Sequence, residues 1–270
     1  MDAHSVIQRK INSRALKLIL TVLMWSSVLM VYSQDISLMT YNIRYDNPGD
    51  KENRWDNRKE FLINQLKFYE PDILGIQEGL IHQVEYIDSS IRNYAYIGVG
   101  RDNGKTKGEF SAVYYNSSRF DLIKNSTFWL SETPQKISVG WDAALERICT
   151  YGLFKEKESG KKLWVFNTHF DHIGKTARKE SAYLIIKKIN ELTKKEDQVV
   201  LMGDFNLEPG SEGINIILTK LKDAKAVNTK VSFGPEGTYN GFNYEKTVER
   251  RIDYIFTDPS IQVKKYGTLN

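Results

Sequence analysis

The 270-residue chain contains one cysteine, Cys149. No internal disulfide can form, so the fold must be held by its core. There is no Cys/His cluster spaced for structural zinc. There is no G-x-S-x-G turn or Ser-His-Asp spacing, and no glycine-rich phosphate loop. No repeat, low-complexity tract or long Pro/Gly/Ser linker divides the chain. These absences set aside zinc-stapled, serine-hydrolase and P-loop classes. What remains is ordinary globular composition, 41% hydrophobic and 27% charged, enough for one sizeable domain.

A long hydrophobic run is also lacking. The uncharged stretch 18–32 has 15 residues, against the roughly 20 needed to span a bilayer. It follows Arg9, Lys10, Arg14 and Lys17 and leads to the small Ser33 before Gln34. Basic n-region, short apolar h-region and small-residue cleavage site describe a secretory signal peptide over residues 1–33. The expectation is export to the periplasm or beyond after cleavage. An uncleaved membrane anchor is the alternative, disfavoured because Ser33-Gln34-Asp35 carries no basic stop-transfer flank. Residues 1–33 hold four basic residues and one acid, so 34 basic and 33 acidic residues remain, a net charge of +1. A body without excess charge of either sign does not by itself select or exclude nucleic acid.

Along residues 34–270, short apolar or alternating runs read as strands: 36–43, 73–77, 94–99, 111–116, 122–129, 163–168, 199–203 and 252–257. Helical stripes lie between them. Leu62, Leu66 and Tyr69 share one face, as do Ala182, Ile185, Ile186 and Ile189. A third helix is expected over 211–221, with Ser211 as its cap. Strands occur in pairs as well as alternating with helices. That predicts one α/β (α+β) domain with sheets inside and helices outside. The polar stretches 47–58, 101–109 and 132–144 read as surface loops.

The ends of these strands carry the chemistry. Asn42, Glu78, Asn167 and His169, Asp204 and Asn206, and Asp253 lie at or beside the ends of five apolar runs. Taken singly, each is a turn residue, a helix cap or a satisfied core group. Taken together, they form an oxygen-rich set where strand ends converge, suited to a hard cation such as Mg²⁺.

The ordered series MTYNIR, ILGIQE, FNTHFDH, LMGDFN and RRIDYIF resembles the endonuclease/exonuclease/phosphatase superfamily, the deoxyribonuclease-like fold. TFWLSETP and GWDAALERICTY resemble a secreted bacterial branch related to the deadenylases. The resemblance implies a four-layer αββα sandwich that hydrolyses phosphate esters with Mg²⁺, or with Mn²⁺ in its place. It implies Glu78 and Asn42 as metal ligands. It further implies Asp204 and Asn206 orienting water and phosphate, His169 bonding a phosphate oxygen, and Asp253 orienting a later histidine. Arg147 is a candidate substrate contact or the partner of a surface carboxylate. Tyr114 is a second, weaker contact candidate. His82, one turn after Glu78, faces either the site or solvent. Trp55, Trp129 and Trp141 stack on a substrate or pack.

The resemblance also implies a terminal Ser-Asp-His motif on a closing strand. The histidines are His4, His82, His169 and His172, none after Asp253. The expectation is therefore a sandwich whose last strand is missing, a C-terminally incomplete domain over 34–270, and reduced or absent turnover. The expected activity is that of a phosphodiesterase or nuclease. The alternatives are a phosphatase or phospholipase on inositol- or sphingomyelin-type head groups, or a non-catalytic metal- and phosphate-binding protein. The expected partner is a phosphate-ester substrate, nucleic acid or nucleotide among them. No stable protein partner is expected, and the chain is expected to be a monomer.

Overall fold

The computed structural model describes residues 35–241, 243 and 245–269. The expected leader, 1–33, lies outside the described residues. From Ile36 onward two sheets stand face to face. The first is built from β1 (Leu38–Asn42), β2 (Ile73–Gln77), β3 (Tyr94–Ile97) and β4 (Val113–Asn116), in the order β1-β2-β4-β3. The second takes β5 (Phe120–Trp129), β6 (Ile148–Glu156), β7 (Lys162–His169), β8 (Gln198–Asp204), β9 (Lys222–Asp223) and β11 (Asp253–Thr257), in the order β5-β6-β7-β8-β11-β9. A separate ribbon pairs β10 (Val231–Phe233) with β12 (Lys265–Gly267) in parallel.

Alternation along each strand divides its side chains between two cores. In β7, Leu163 and Val165 face the other sheet, packed with Ile73, Val113, Val200 and Met202. Trp164 and Phe166 face outward, against α3 (Lys175–Leu192) and α4 (Glu212–Leu218). On the first sheet, Leu74, Ile76 and Tyr114 face α1 (Trp55–Tyr69) and α2 (Ile81–Ser90). The result is the four-layer αββα sandwich. Both sheets bury both faces, which is why few strands show a polar side.

Three sequence expectations need correction. Residues 55–58 are the first turn of α1, not a loop. They read as a loop because only Trp55 of this turn is buried. Strand β6 was not expected, although most of its nine residues are buried. Its Thr150 and Gly152 break the apolar run, and it has no polar face to alternate with. Ser211 does stand at the N-cap of α4, but its hydroxyl makes no cap bond. Among the described residues, no helix is long and apolar enough to cross a membrane.

Candidate active site

The period of two explains why the polar strand ends meet. Leu163, Val165, Asn167 and His169 share the inward face of β7. Val200, Met202 and Asp204 share that of β8. Asp253 stands directly opposite Asp204 in the antiparallel β8–β11 pair, so it shares the same face. Across the gap, Asn42 ends β1 beside Gln77 of β2. Each sheet therefore supplies half of one polar cluster, at the end of the inter-sheet core.

Asn42 joins the halves. Its Nδ2 donates to Glu78 Oε1 at 2.9 Å and to Asp204 Oδ2 at 3.0 Å. Its Oδ1 accepts from the Arg44 backbone at 3.0 Å. Glu78 has φ of 63°, a left-handed conformation uncommon for a residue with a Cβ and concentrated at functional sites. Its second oxygen accepts from Tyr45 N at 3.1 Å, with Arg44 Nη1 at 3.9 Å.

On the other side, Asn206 (φ 47°) donates its backbone N–H to Asp204 Oδ1 at 2.9 Å. Its Nδ2 donates to Phe170 O at 3.0 Å and faces His169 Nε2 at 3.2 Å. One amide hydrogen serves each partner, so Nε2 is the accepting nitrogen of His169 and its ring proton sits on Nδ1. Nδ1 is buried with no protein hydrogen-bond partner, and Glu109 Oε2 stands 3.8 Å away. Arg101 grips Glu109 through two bonds of 2.7 and 3.0 Å. A cleft of about 10 Å³ lies among Arg101, Glu109, Arg147 and His169, room for about one water.

The electrostatics follow from burial. Burial, then the guanidiniums of Arg147 and Arg101 and the ring of His172, hold the His169 imidazole well below its ordinary value, so it is neutral at pH 7. Burial, with the charge of Glu78 adding, pushes Asp204 up to about 6 against the bonds from Asn42 and Asn206. Asp253 is raised well above its ordinary value, first by burial and then by Asp204 beside it.

The remaining candidates separate. Arg147 is buried, with Nε 3.3 Å from Asp171 Oδ2 and Nη2 3.0 Å from His172 Nδ1. It takes the carboxylate-pairing role, but the carboxylate lies inside the protein, and its Nη1 has no protein partner. Tyr114 is not a substrate contact. It is fully buried in the helix-facing core, and its hydroxyl donates to Val84 O at 2.8 Å. His82 is half-exposed on Asp46, 3.1 Å away. Trp55 and Trp129 are buried packing residues, whereas Trp141 is partly exposed on a left-handed backbone (φ 49°). Glu109, Arg101 and Asp171 were missed. The first two lie in a charged loop with no periodicity to mark them. Asp171 was within reach, two residues past His169 in the same motif.

The donor set fits a hard divalent cation. Glu78, Asn42, Asp204 and Asp253 offer oxygens, and two of these carboxylates are pushed upward by burial and then by neighbouring carboxylate charge, which a cation relieves. Among the described residues no group of three or more His, Cys, Asp or Glu is placed to hold a metal ion by itself. One or two carboxylates plus waters is the usual protein share for Mg²⁺.

A model of the endonuclease/exonuclease/phosphatase family matches residues 39–270. The solved structure of a mannosyl-6-phosphatase of Bacteroides thetaiotaomicron is 40% identical, with a TM-score of 0.84, over 87% of this chain and 90% of that one. An uncharacterized protein of Acanthamoeba polyphaga mimivirus is 33% identical over 164 residues, 57% of this chain and 60% of that one. A probable RNA exonuclease of Saccharomyces cerevisiae, NGL3, is 28% identical over 199 residues, 66% of this chain and 38% of that one. The chain thus spans less than two thirds of either of these last two relatives.

Proposed function

The chain belongs to the endonuclease/exonuclease/phosphatase family, and on that premise we propose that it is a metal-assisted hydrolase of a sugar phosphomonoester. The observation that carries the hydrolase reading is the Asn42 amide set between Glu78 and Asp204, with Asn206 and His169 opposite. Likeness to the mannosyl-6-phosphatase, at 40% identity over most of both chains, favours the sugar monoester. The second reading is a phosphodiesterase or nuclease, favoured by the more distant RNA exonuclease relative.

In this reading Glu78 and Asn42 would hold Mg²⁺, with Mn²⁺ as its substitute. The ion supplies Lewis-acid charge neutralisation and a template for the phosphate. Asp204, whose oxygens already accept from two amides, orients the attacking water and takes its proton. Asn206 Nδ2 would exchange its bond to His169 Nε2 for one to a phosphate oxygen while keeping that to Phe170 O. Burial and the charge of Glu78 keep Asp204 protonatable near neutrality, and Asp253 stands opposite it across the β8–β11 pair. The water oxygen bonds to phosphorus as the ester P–O bond breaks, and the leaving oxygen ends protonated.

Arg147 enters the proposal as support behind His169. The proposal includes export with cleavage after Ser33, and a monomer without a stable protein partner. N-terminal sequencing of the exported product checks the cleavage. The test of function is a Mg²⁺ panel of mannose 6-phosphate, nucleotide, inositol and lipid phosphoesters, RNA and DNA. Preference for RNA or DNA would replace the sugar reading by the second. Phosphate binding with no turnover on any of them would leave a non-catalytic binding protein.

A further inference from the structure

Asn42 and Glu78 come from one sheet, His169 and Asp204 from the other. The site therefore exists only while the sheets hold one spacing and one register. The apolar contacts of Ile73, Val113, Val165, Val200 and Met202 give adhesion, but the hydrophobic effect is non-directional. Something directional is needed near the site.

One rung below His169, on the same face of β7, stands Asn167. It is fully buried, yet every side-chain bond it makes crosses to the opposite sheet. Its Nδ2 donates to Ile76 O at 2.8 Å and to Ala112 O at 2.9 Å. Its Oδ1 accepts from Gln77 Nε2 at 2.7 Å. Gln77, also fully buried, donates in addition to Thr40 Oγ1 at 3.1 Å. Gln77 directly precedes Glu78, and Thr40 stands two residues before Asn42. The bridge therefore links the strands that carry Asn42, Glu78 and His169. Room for it is built in: a Cβ on Gly75 would lie 2.7 Å from Asn167 Cγ and Oδ1 and 2.8 Å from Met202 Cε.

We propose that Asn167, with Gln77, is a positioning residue that fixes the register of the two half-sites and so sets His169 against Glu78. A hydrogen bond inside the sandwich has a preferred length and direction, and three such bonds on one amide leave the sheets little freedom to slide. Misplacement of a catalytic group by about 1 Å can cost about 100-fold in rate.

The kinetic readout rests on the phosphoester-hydrolase reading. The test is a double-mutant cycle on mannose 6-phosphate with Mg²⁺, using Asn167→Ala, His169→Ala and the pair. Asn167→Ala alone is expected to lower kcat by about 10- to 100-fold with little change in KM. In the His169→Ala background it should lower kcat at least about 3-fold less than in the wild type, since one of the groups whose placement depends on the register is gone. An equal loss in both backgrounds would overturn the proposal. So would an equal kcat loss in Ile189→Ala, which loosens the far core without touching the bridge. If Asn167→Ala does not fold, Gln77→Met removes one bond of the bridge and enters the same cycle. If the wild type turns over nothing on any phosphoester, the functional reading fails separately. The bridge is then judged from the His169 imidazole NMR signals, which must move in Asn167→Ala and stay fixed in Ile189→Ala.

Discussion

Asn206 and Tyr114 show how differently two polar side chains can be employed. Asn206 Nδ2 stands at the open end of the sandwich with Phe170 O and His169 Nε2. In the proposed reaction it donates to a phosphate oxygen where charge builds, and such a donor is typically worth about 100- to 1,000-fold in kcat. Asn206→Ala should lower kcat by about that factor while the melting temperature moves little, which steady-state kinetics and thermal unfolding would check together. Tyr114 spends its hydroxyl on Val84 O in the interior. Tyr114→Phe should cost about 1 kcal/mol of stability, since it removes one buried hydrogen bond, and should leave kcat and KM unchanged. A change in KM for Tyr114→Phe would restore it as a substrate contact. At this scale the sequence was most readable where polar residues interrupt an apolar alternation. Asn42, Asp204 and Asp253 continue the inward face of their strands, so their meeting follows from strand geometry alone. Glu109 and Arg101 continue nothing. They reach His169 because the 101–109 loop folds back on itself, with Arg101 N bonded to Glu109 O at 3.1 Å, and no local pattern announces that.

Among elements, β5 and β6 were the least evenly readable pair. Strand β5 was expected from its apolar content, whereas β6 was missed, because a strand buried on both faces shows no period. The start of α1 was missed for the opposite reason. Its first turn is mostly polar, and its N-cap Arg54 makes no side-chain cap bond, so no capping signal precedes it. The base of the β5–β6 pair is tied by charge. Arg119 bonds Glu156 Oε1 through Nε at 3.0 Å and Asp72 Oδ2 through Nη1 at 2.7 Å, joining the second sheet to the loop before β2. Burial alone would raise the Glu156 carboxyl, but bonds from Ser159 and Arg119 outweigh it and hold it below its ordinary value of 4.5. A carboxylate whose folded value is depressed contributes stability above its unfolded value and loses it as pH falls through the folded one. Thermal unfolding across pH 3–6 should therefore show a decline below about pH 4.5 that is shallower in Glu156→Gln. At pH 7 the same substitution should cost about 1 kcal/mol, by weakening the bonds of the half-buried Arg119 guanidinium. Parallel pH profiles in the two proteins would show that Glu156 is not part of the acid response.

For the whole molecule, the arrangement that makes the fold stable also makes the site. Two sheets pack through an apolar middle, and each runs out at one end into Asn, Asp, Glu and His. Joining those ends brings carboxylates together that burial drives upward, Asp204 to about 6 and Asp253 well above its ordinary value, a distribution that a divalent cation would relieve. Family membership and the 40% identity to a mannosyl-6-phosphatase agree with that chemistry. The ordered motifs pointed to the sandwich, because strand ends are local signals. They did not point to the partners of Arg147 or to the bridge at Asn167, which depend on how the sheets face one another. The measurement closest to the central claim is release of inorganic phosphate from mannose 6-phosphate by the wild type and by Glu78→Gln, each with Mg²⁺ and with excess chelator. The account predicts turnover by the wild type that needs Mg²⁺ and falls at least about 100-fold in Glu78→Gln. Release that survives chelation, or that Glu78→Gln leaves intact, would contradict it.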